Sequence, residues 1–154
     1  MSSPNIIIYT DGSSRGNPGP GGYGIVMQEY NTAYKKEFSQ GYRKTTNNRM
    51  ELLAVIVALE KIKKENQTVH VYTDSKYVSE SVEKKWVLKW EKAGFKNKKN
   101  QDLWVRFLKS YRNHSVQFFW VKGHNNNTKN ERCDFLAVEA SLKLNLLIDY
   151  EYEN

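Results

Sequence analysis

"IIIYTDG" (Ile6–Gly12) and "VHVYTDS" (Val69–Ser75) end alike: an apolar run, a Tyr-Thr pair, then an aspartate. Each reads as a buried strand closed by a carboxylate, Ile6–Tyr9 ending near Asp11 and Val69–Thr73 ending at Asp74. A strand–helix–strand crossover sets two strands parallel, with their carboxyl ends at one edge of the sheet. Neighbouring strands lie about 4.8 Å apart, so the two aspartates would project together at that lip. A single aspartate there is most often a turn or cap residue. Two in matching contexts point to a cation, because their repulsion is costly unless a proton or metal sits between them.

Working outward, the glycines and prolines from Gly12 to Gly22 read as a loop. Tyr23–Tyr30 and Ala33–Gly41 read as a hairpin turning around Asn31-Thr32. Thr45–Asn48 supply capping chemistry for a helix from about Arg49 to Lys64, whose Met50, Leu53, Ala54, Val57 and Ala58 follow helical spacing. Asp74 or Ser75 caps a short helix carrying Tyr77, Val78 and Val82, and Trp86–Trp90 adds a turn or two. Phe95–Asn100 lacks a period and reads as an exposed basic loop. Leu103, Trp104, Phe107, Leu108 and Tyr111 mark a helix, Val116–Val121 a last strand, and Lys122–Asn130 a polar loop. A closing helix starts near Glu131, with Cys133, Leu136, Ala137 and Ala140 on one face. The tail after Leu142 shows no clear pattern. Three strands followed by alternating helices and strands predict an α/β fold with a mixed sheet, whose ligands bind beyond the carboxyl edge.

The chain of 154 residues suits one domain, 1–154, with 39% hydrophobic and 13% aromatic residues, too many packing groups for a disordered protein. No apolar run approaches the roughly twenty residues of a membrane helix, and no secretory leader is evident at the amino terminus. One cysteine, Cys133, cannot form an internal disulfide, which fits a reducing cytoplasm. The net charge of +7 is uneven: ten cations between Lys84 and Arg112 are opposed there only by Glu91 and Asp102. A basic segment on an otherwise balanced chain suggests a polyanionic partner, although a lysine-rich solvated surface looks the same by charge alone.

Two further acids complete a set. Glu51 falls in the first turn of the long helix, on a flank of its buried face, and Asp134 holds a similar place in the closing helix. Either could be a solvated edge residue. Together with Asp11 and Asp74 they offer hard oxygen ligands for divalent cations. Such a cluster suits phosphodiester hydrolysis with two metal ions about 3.5–4 Å apart. Cysteines and histidines are too few for structural zinc, and the loop after Asp11 lacks the Gly-Lys-Ser/Thr ending of a P-loop.

The motifs "YTDGSSRGNPGPGGYG" (Tyr9–Gly24), "TTNNRMEL" (Thr45–Leu52), "YTDSKYV" (Tyr72–Val78), "DLW" (Asp102–Trp104), "WVKGH" (Trp120–His124) and "NERCDFLA" (Asn130–Ala137) occur in order. The chain thereby resembles ribonuclease H of the type 1 class over nearly its whole length. The resemblance implies a five-stranded mixed sheet, three antiparallel strands first and then parallel strands, flanked by helices on both faces. It implies a monomeric cytoplasmic endoribonuclease that cuts the RNA strand of RNA–DNA hybrids. Two Mg2+ ions would serve, with Mn2+ as substitute, and the products would carry 5'-phosphate and 3'-hydroxyl ends. Asp11, Glu51, Asp74 and Asp134 match the metal-binding carboxylates, and His124 a loop histidine that helps proton movement or product departure.

Gly12, Asn17, Asn47 and Asn48 match elements that approach the hybrid's minor groove, where 2'-hydroxyls are displayed. Thr46 and Ser75 match groups near a DNA phosphate, while Lys76 stands where bacterial relatives often carry glutamine. The basic segment, about 84–102, resembles a handle shorter than in well-known bacterial relatives. There Trp86, Trp90 and Phe95 would offer flat surface to deoxyribose, and Lys89, Lys92, Lys96, Lys98 and Lys99 would neutralise phosphates. For one of the two tryptophans, four residues apart, core packing is the alternative. Two other functions stay open: a related nuclease acting on DNA junctions or double-stranded RNA, and a hybrid-binding module without catalysis.

Overall fold

The strand carrying Asp11 lies at the centre of the sheet and decides where everything else can go. The computed structural model describes residues 3–122 and 128–154. Its strands are β1 (Ile6–Ser14), β2 (Gly19–Glu29), β3 (Lys35–Thr45), β4 (Thr68–Thr73) and β5 (Ser115–Trp120), in the order β3-β2-β1-β4-β5. β1–β2 and β2–β3 are antiparallel, whereas β1–β4 and β4–β5 are parallel, which is the expected mixed sheet. Tyr9 pairs with Tyr72, so Asp11 and Asp74, each two residues further on, leave the parallel ladder at the same level.

The helices are α1 (Asn47–Glu60), α2 (Lys76–Glu83), α3 (Trp86–Lys92), α4 (Gln101–Tyr111), α5 (Thr128–Ser141) and α6 (Tyr150–Glu153). α1 packs on β1 and β2 on one face, and α4 closes over it. A helix sandwiched in this way is apolar nearly all round: Met50, Leu52, Ala54, Val55, Ile56 and Ala58 are all fully buried. α5 packs on β1, β2 and β3 from the opposite face, and its Cys133 thiol donates to the Tyr9 carbonyl at 3.1 Å. Helices on both faces are as expected.

Several boundaries differ from the sequence reading, for one main reason. β1 does not stop at Asp11 but continues to Ser14, paired with β2 from Gly21 onward, so most of the glycine-rich stretch is strand. Glycine carries no hydrophobic signal, and its alternation is invisible to a pattern of apolar residues. The structure uses that alternation. A Cβ at Gly22 or Gly24 would overlap the backbone of α5 at Ala137 and Cys133, and one at Gly12 would overlap α1 at Met50 and Glu51. Missing side chains on both faces let both helices sit against the sheet. β3 likewise runs Lys35–Thr45, later than Ala33–Gly41.

α1 begins at Asn47, with Thr46 as its cap, and ends at Glu60 instead of Lys64. Glu51 and Asp134 therefore lie beyond the first turns of α1 and of the described α5. The tail is also ordered into the fold: Leu147 bridges to Tyr42, and Asp149 accepts from Thr45 Oγ1 at 2.8 Å and Arg49 Nε at 2.8 Å.

Gly24→Ala should cost about 1–3 kcal/mol of unfolding free energy through overpacking, measured by urea denaturation. An unchanged midpoint would show that α5 does not press on β2 as described.

Candidate metal centre and nucleic-acid interface

Three elements deliver three carboxylates to one point. One oxygen each of Asp11, Glu51 and Asp74 lies within 4.8 Å of the others. β1 supplies Asp11, the residue just past β4 is Asp74, and α1 supplies Glu51 because Gly12 lets its backbone approach. Asp134, on α5, is close enough to act on the Asp11 carboxyl by charge and hydrogen bonding. The structure thus gathers all four predicted acids at the carboxyl edge of the parallel strands. His124 lies outside the described residues.

Electrostatics make this gathering costly. Burial, then the charges of Asp74 and Asp134, push the Asp11 carboxyl up to about 8. Burial, then Asp11 and Asp74, raise Glu51 well above the ordinary carboxylate range. The Gly12 N–H, which donates to Asp11 Oδ1 at 2.9 Å, works in the opposite direction. Glu51 Oε2 is buried without a hydrogen-bond partner. Such an atom ordinarily costs free energy, and a hard cation would satisfy it. An all-oxygen donor set of this kind fits a divalent ion of the magnesium or manganese type.

Around this edge the motif residues are tied to one another. Asn17 Oδ1 accepts from the Asn47 N–H at 3.1 Å, and the Ser14 hydroxyl donates to Asn47 Oδ1 at 3.1 Å, joining the β1–β2 turn to the start of α1. Asn47 and Asn48 are exposed. The Thr46 hydroxyl accepts from the Arg49 N–H at 3.2 Å as a helix cap, and Ser75 does the same for Val78 at 3.1 Å. Both hydroxyls keep a proton to donate. Gly12 is buried against α1, so packing alone accounts for the missing side chain there.

The basic segment divides unequally. Trp86 is 39% exposed, with the Lys84 ammonium over its ring at 5.1 Å. Trp90 instead packs edge-on against the buried Trp104 at 5.8 Å, although Lys98 lies over its ring at 5.0 Å. Phe95 is only 6% exposed and belongs to the core, which corrects the reading of it as open surface. α3 ends in a Schellman turn: Gly94 is left-handed, its N–H donates to the Glu91 carbonyl, and the Phe95 N–H donates to Trp90. That motif folds the residue after the glycine back onto the helix, so the ring is drawn inward. Lys89, Lys92, Lys96, Lys98 and Lys99 remain exposed.

Sequence reasoning missed Arg49, which is 4% exposed inside the motif Thr45–Leu52. Its guanidinium grips Asp149 and is bidentate to Asp102, with Nη2 donating to Asp102 Oδ2 at 2.7 Å. Burial opposes its charge, but the carboxylates Asp102 and Asp149 outweigh that and raise its pKa. The signal was present, since a charged residue one helical turn past a cap, amid apolar neighbours, needs a buried partner. The network joins the tail, the start of α1 and the start of α4 beneath the asparagines.

The mixed sheet and its carboxylate edge define an α/β fold with a candidate divalent-cation centre. The RNase H family model matches residues 3–142. The ribonuclease H of Desulforamulus reducens is 54% identical over 149 residues, covering 94% of this chain and 92% of the relative. That of Trichodesmium erythraeum is 50% identical, covering 96% of each. Among solved structures, LC9-RNase H1, a type 1 RNase H with the type 2 active-site motif, superposes with TM-score 0.79 at 31% identity, over 92% of this chain and 74% of that one. LC11-RNase H1 in complex with an RNA/DNA hybrid gives TM-score 0.61 at 30% identity, over 88% and 95%. The chain belongs to the ribonuclease H family, whose members are metal-dependent endoribonucleases.

Raised carboxyl pKa values set a sign for stability. The native state holds its Asp11 proton up to about 8, while an ordinary aspartate loses it near 3.8. Between those values the native state binds more protons than the unfolded chain, so stability falls as pH rises. In chelator, the melting temperature should drop from pH 5 to pH 8.5, and Asp11→Asn should flatten the fall. A parent profile already flat over that range would show that the carboxyls do not repel one another.

Proposed function

We propose that this chain hydrolyses the RNA strand of RNA–DNA hybrids, leaving 5'-phosphate and 3'-hydroxyl ends. The observation that carries the proposal is the convergence of buried Asp11 with half-buried Glu51 and Asp74 at the carboxyl edge of a ribonuclease H sheet. Asp11, Glu51, Asp74 and Asp134 would hold two Mg2+ ions, with Mn2+ as an alternative. When bound, such ions supply an activated water and neutralise charge on the leaving oxygen.

The chain's own residues do the rest. Asp11 and Glu51, whose carboxyls are raised, give up protons on metal loading, and the four carboxylates together face the reacting edge of the RNA strand. Asn17 and Asn47, tied together at the rim, and the adjoining exposed Asn48 offer amide donors and acceptors to the minor groove and its 2'-hydroxyls. Thr46 and Ser75 present hydroxyl protons toward a DNA phosphate. His124 is assigned proton movement or product departure by its place in "WVKGH". The handle, about 84–102, lays Trp86 and the exposed lysines Lys92, Lys96, Lys98 and Lys99 along the DNA strand. Trp90 and Phe95 support that surface from beneath rather than forming it. We read the chain as one catalytic domain over 1–154, acting as a cytoplasmic monomer. No helix among the described residues is long and apolar enough to cross a membrane.

Cleavage of matched hybrid, RNA duplex, DNA duplex and DNA junction, each with Mg2+ and with chelator, tests the reading. Only hybrid should be cut, on its RNA strand and only with metal. Preference for another duplex would overturn the substrate, and cleavage in chelator the chemistry. Asp11→Asn should reduce cleavage to background while hybrid binding survives; persistent cleavage would remove Asp11 from the site. Replacing Lys96, Lys98 and Lys99 by glutamine should flatten the salt dependence of hybrid binding by about 0.7–0.9 per lost phosphate contact in log–log slope. An unchanged slope would place the handle off the nucleic acid.

A further inference from the structure

We infer that Trp120 is a positioning residue for the metal centre, acting through the backbone of Asp74. The inference rests on the metal-site reading above and adds a residue to it. Trp120 closes β5 and pairs with Thr73, the last residue of β4. The ladder's final main-chain bond, from the Val121 N–H to the Thr73 carbonyl, is 2.9 Å. One residue further, Asp74 belongs to neither β4 nor α2, yet its carboxylate must be held against Asp11 and Glu51.

Side chains extend the hold there. The Trp120 indole N–H donates to the Asp74 carbonyl at 3.0 Å, and Thr73 Oγ1 accepts from the Ser75 N–H at 3.1 Å. The main chain on both sides of Asp74 is thus fixed by its neighbours. Packing explains only part of the tryptophan, which is 45% exposed at the sheet edge. The buried part of the ring contributes as apolar area does, while its N–H reaches a group whose direction matters to the site. Lys76, from the first turn of α2, places its ammonium 4.7 Å from the indole centroid and covers the open ring. Cation and ring attract, so Lys76 helps to hold the indole in place. Arrangement of carboxylates to a fraction of an ångström governs how tightly a divalent ion is held.

The test is direct metal uptake by titration calorimetry, with a thermal melt of each variant. Trp120→Phe keeps the ring and the lysine contact but loses the N–H; Lys76→Met loses the cation but keeps the N–H. Trp120→Phe should weaken Mg2+ or Mn2+ binding by about three- to tenfold, the scale of one hydrogen bond, with the metal-free melting temperature nearly unchanged. Lys76→Met should weaken it by less. With cleavage assayed at saturating metal, the KM for hybrid should not move in Trp120→Phe. Unchanged metal affinity in Trp120→Phe, beside clear uptake by the parent, would overturn this inference and leave the metal site standing. A parent that binds no metal would overturn both.

Discussion

The structure depends on holding carboxylates together against their own repulsion. Asp11, Glu51 and Asp74 come from a central strand, a helix and the residue just past a neighbouring strand, and one oxygen of each converges within 4.8 Å, Asp11 buried and the other two half-buried. Nothing about three like charges favours that arrangement. It is imposed by packing: the apolar body of α1 is clamped between the sheet and α4, and Gly12 lets its backbone lie directly on β1. The hydrophobic core drives the acids together, and protons or cations make the result tolerable.

Beneath the edge, a second electrostatic device works in the opposite sense. Arg49 places one buried positive charge between Asp102 and Asp149 and so ties three distant parts of the chain. Breaking one partner of such a group strands a buried charge, which is far more costly than never having buried it. The tail after Leu142 owes its place to this contact, to the Leu147 bridge with β3 and to the Arg43–Glu153 pair. Of the rim asparagines, Asn47 is bonded directly to Asn17 and held also by Ser14.

Much of this was legible in the chain itself. The twin "YTD" strand ends gave the parallel pair and its carboxyl edge, and helical spacing gave the core of α1 and α4. Glu51 and Asp134 were found by their place on helix flanks, though not in the turn expected. What escaped was carried by residues without a hydrophobic signature. Gly19, Gly21 and Gly22 of β2 read as loop because glycines show no hydrophobic alternation, and the role of Gly22, like that of Gly24, appears only when α5 is laid against it. Phe95 read as surface because its neighbours are charged, yet the Gly94 turn draws it inward; the glycine was the cue. Arg49 and Asp149 stand a hundred residues apart, and no local pattern could pair them.

The central claim is that cations relieve the strain of the carboxylate cluster, so loading them must displace protons. Calorimetric titration of the protein with Mg2+ at pH 7, repeated in buffers of different ionisation enthalpy, measures that displacement directly. The account predicts uptake accompanied by release of on the order of one proton, lost when Asp11 is replaced by asparagine. Uptake with no proton released, or no uptake at all, would contradict it.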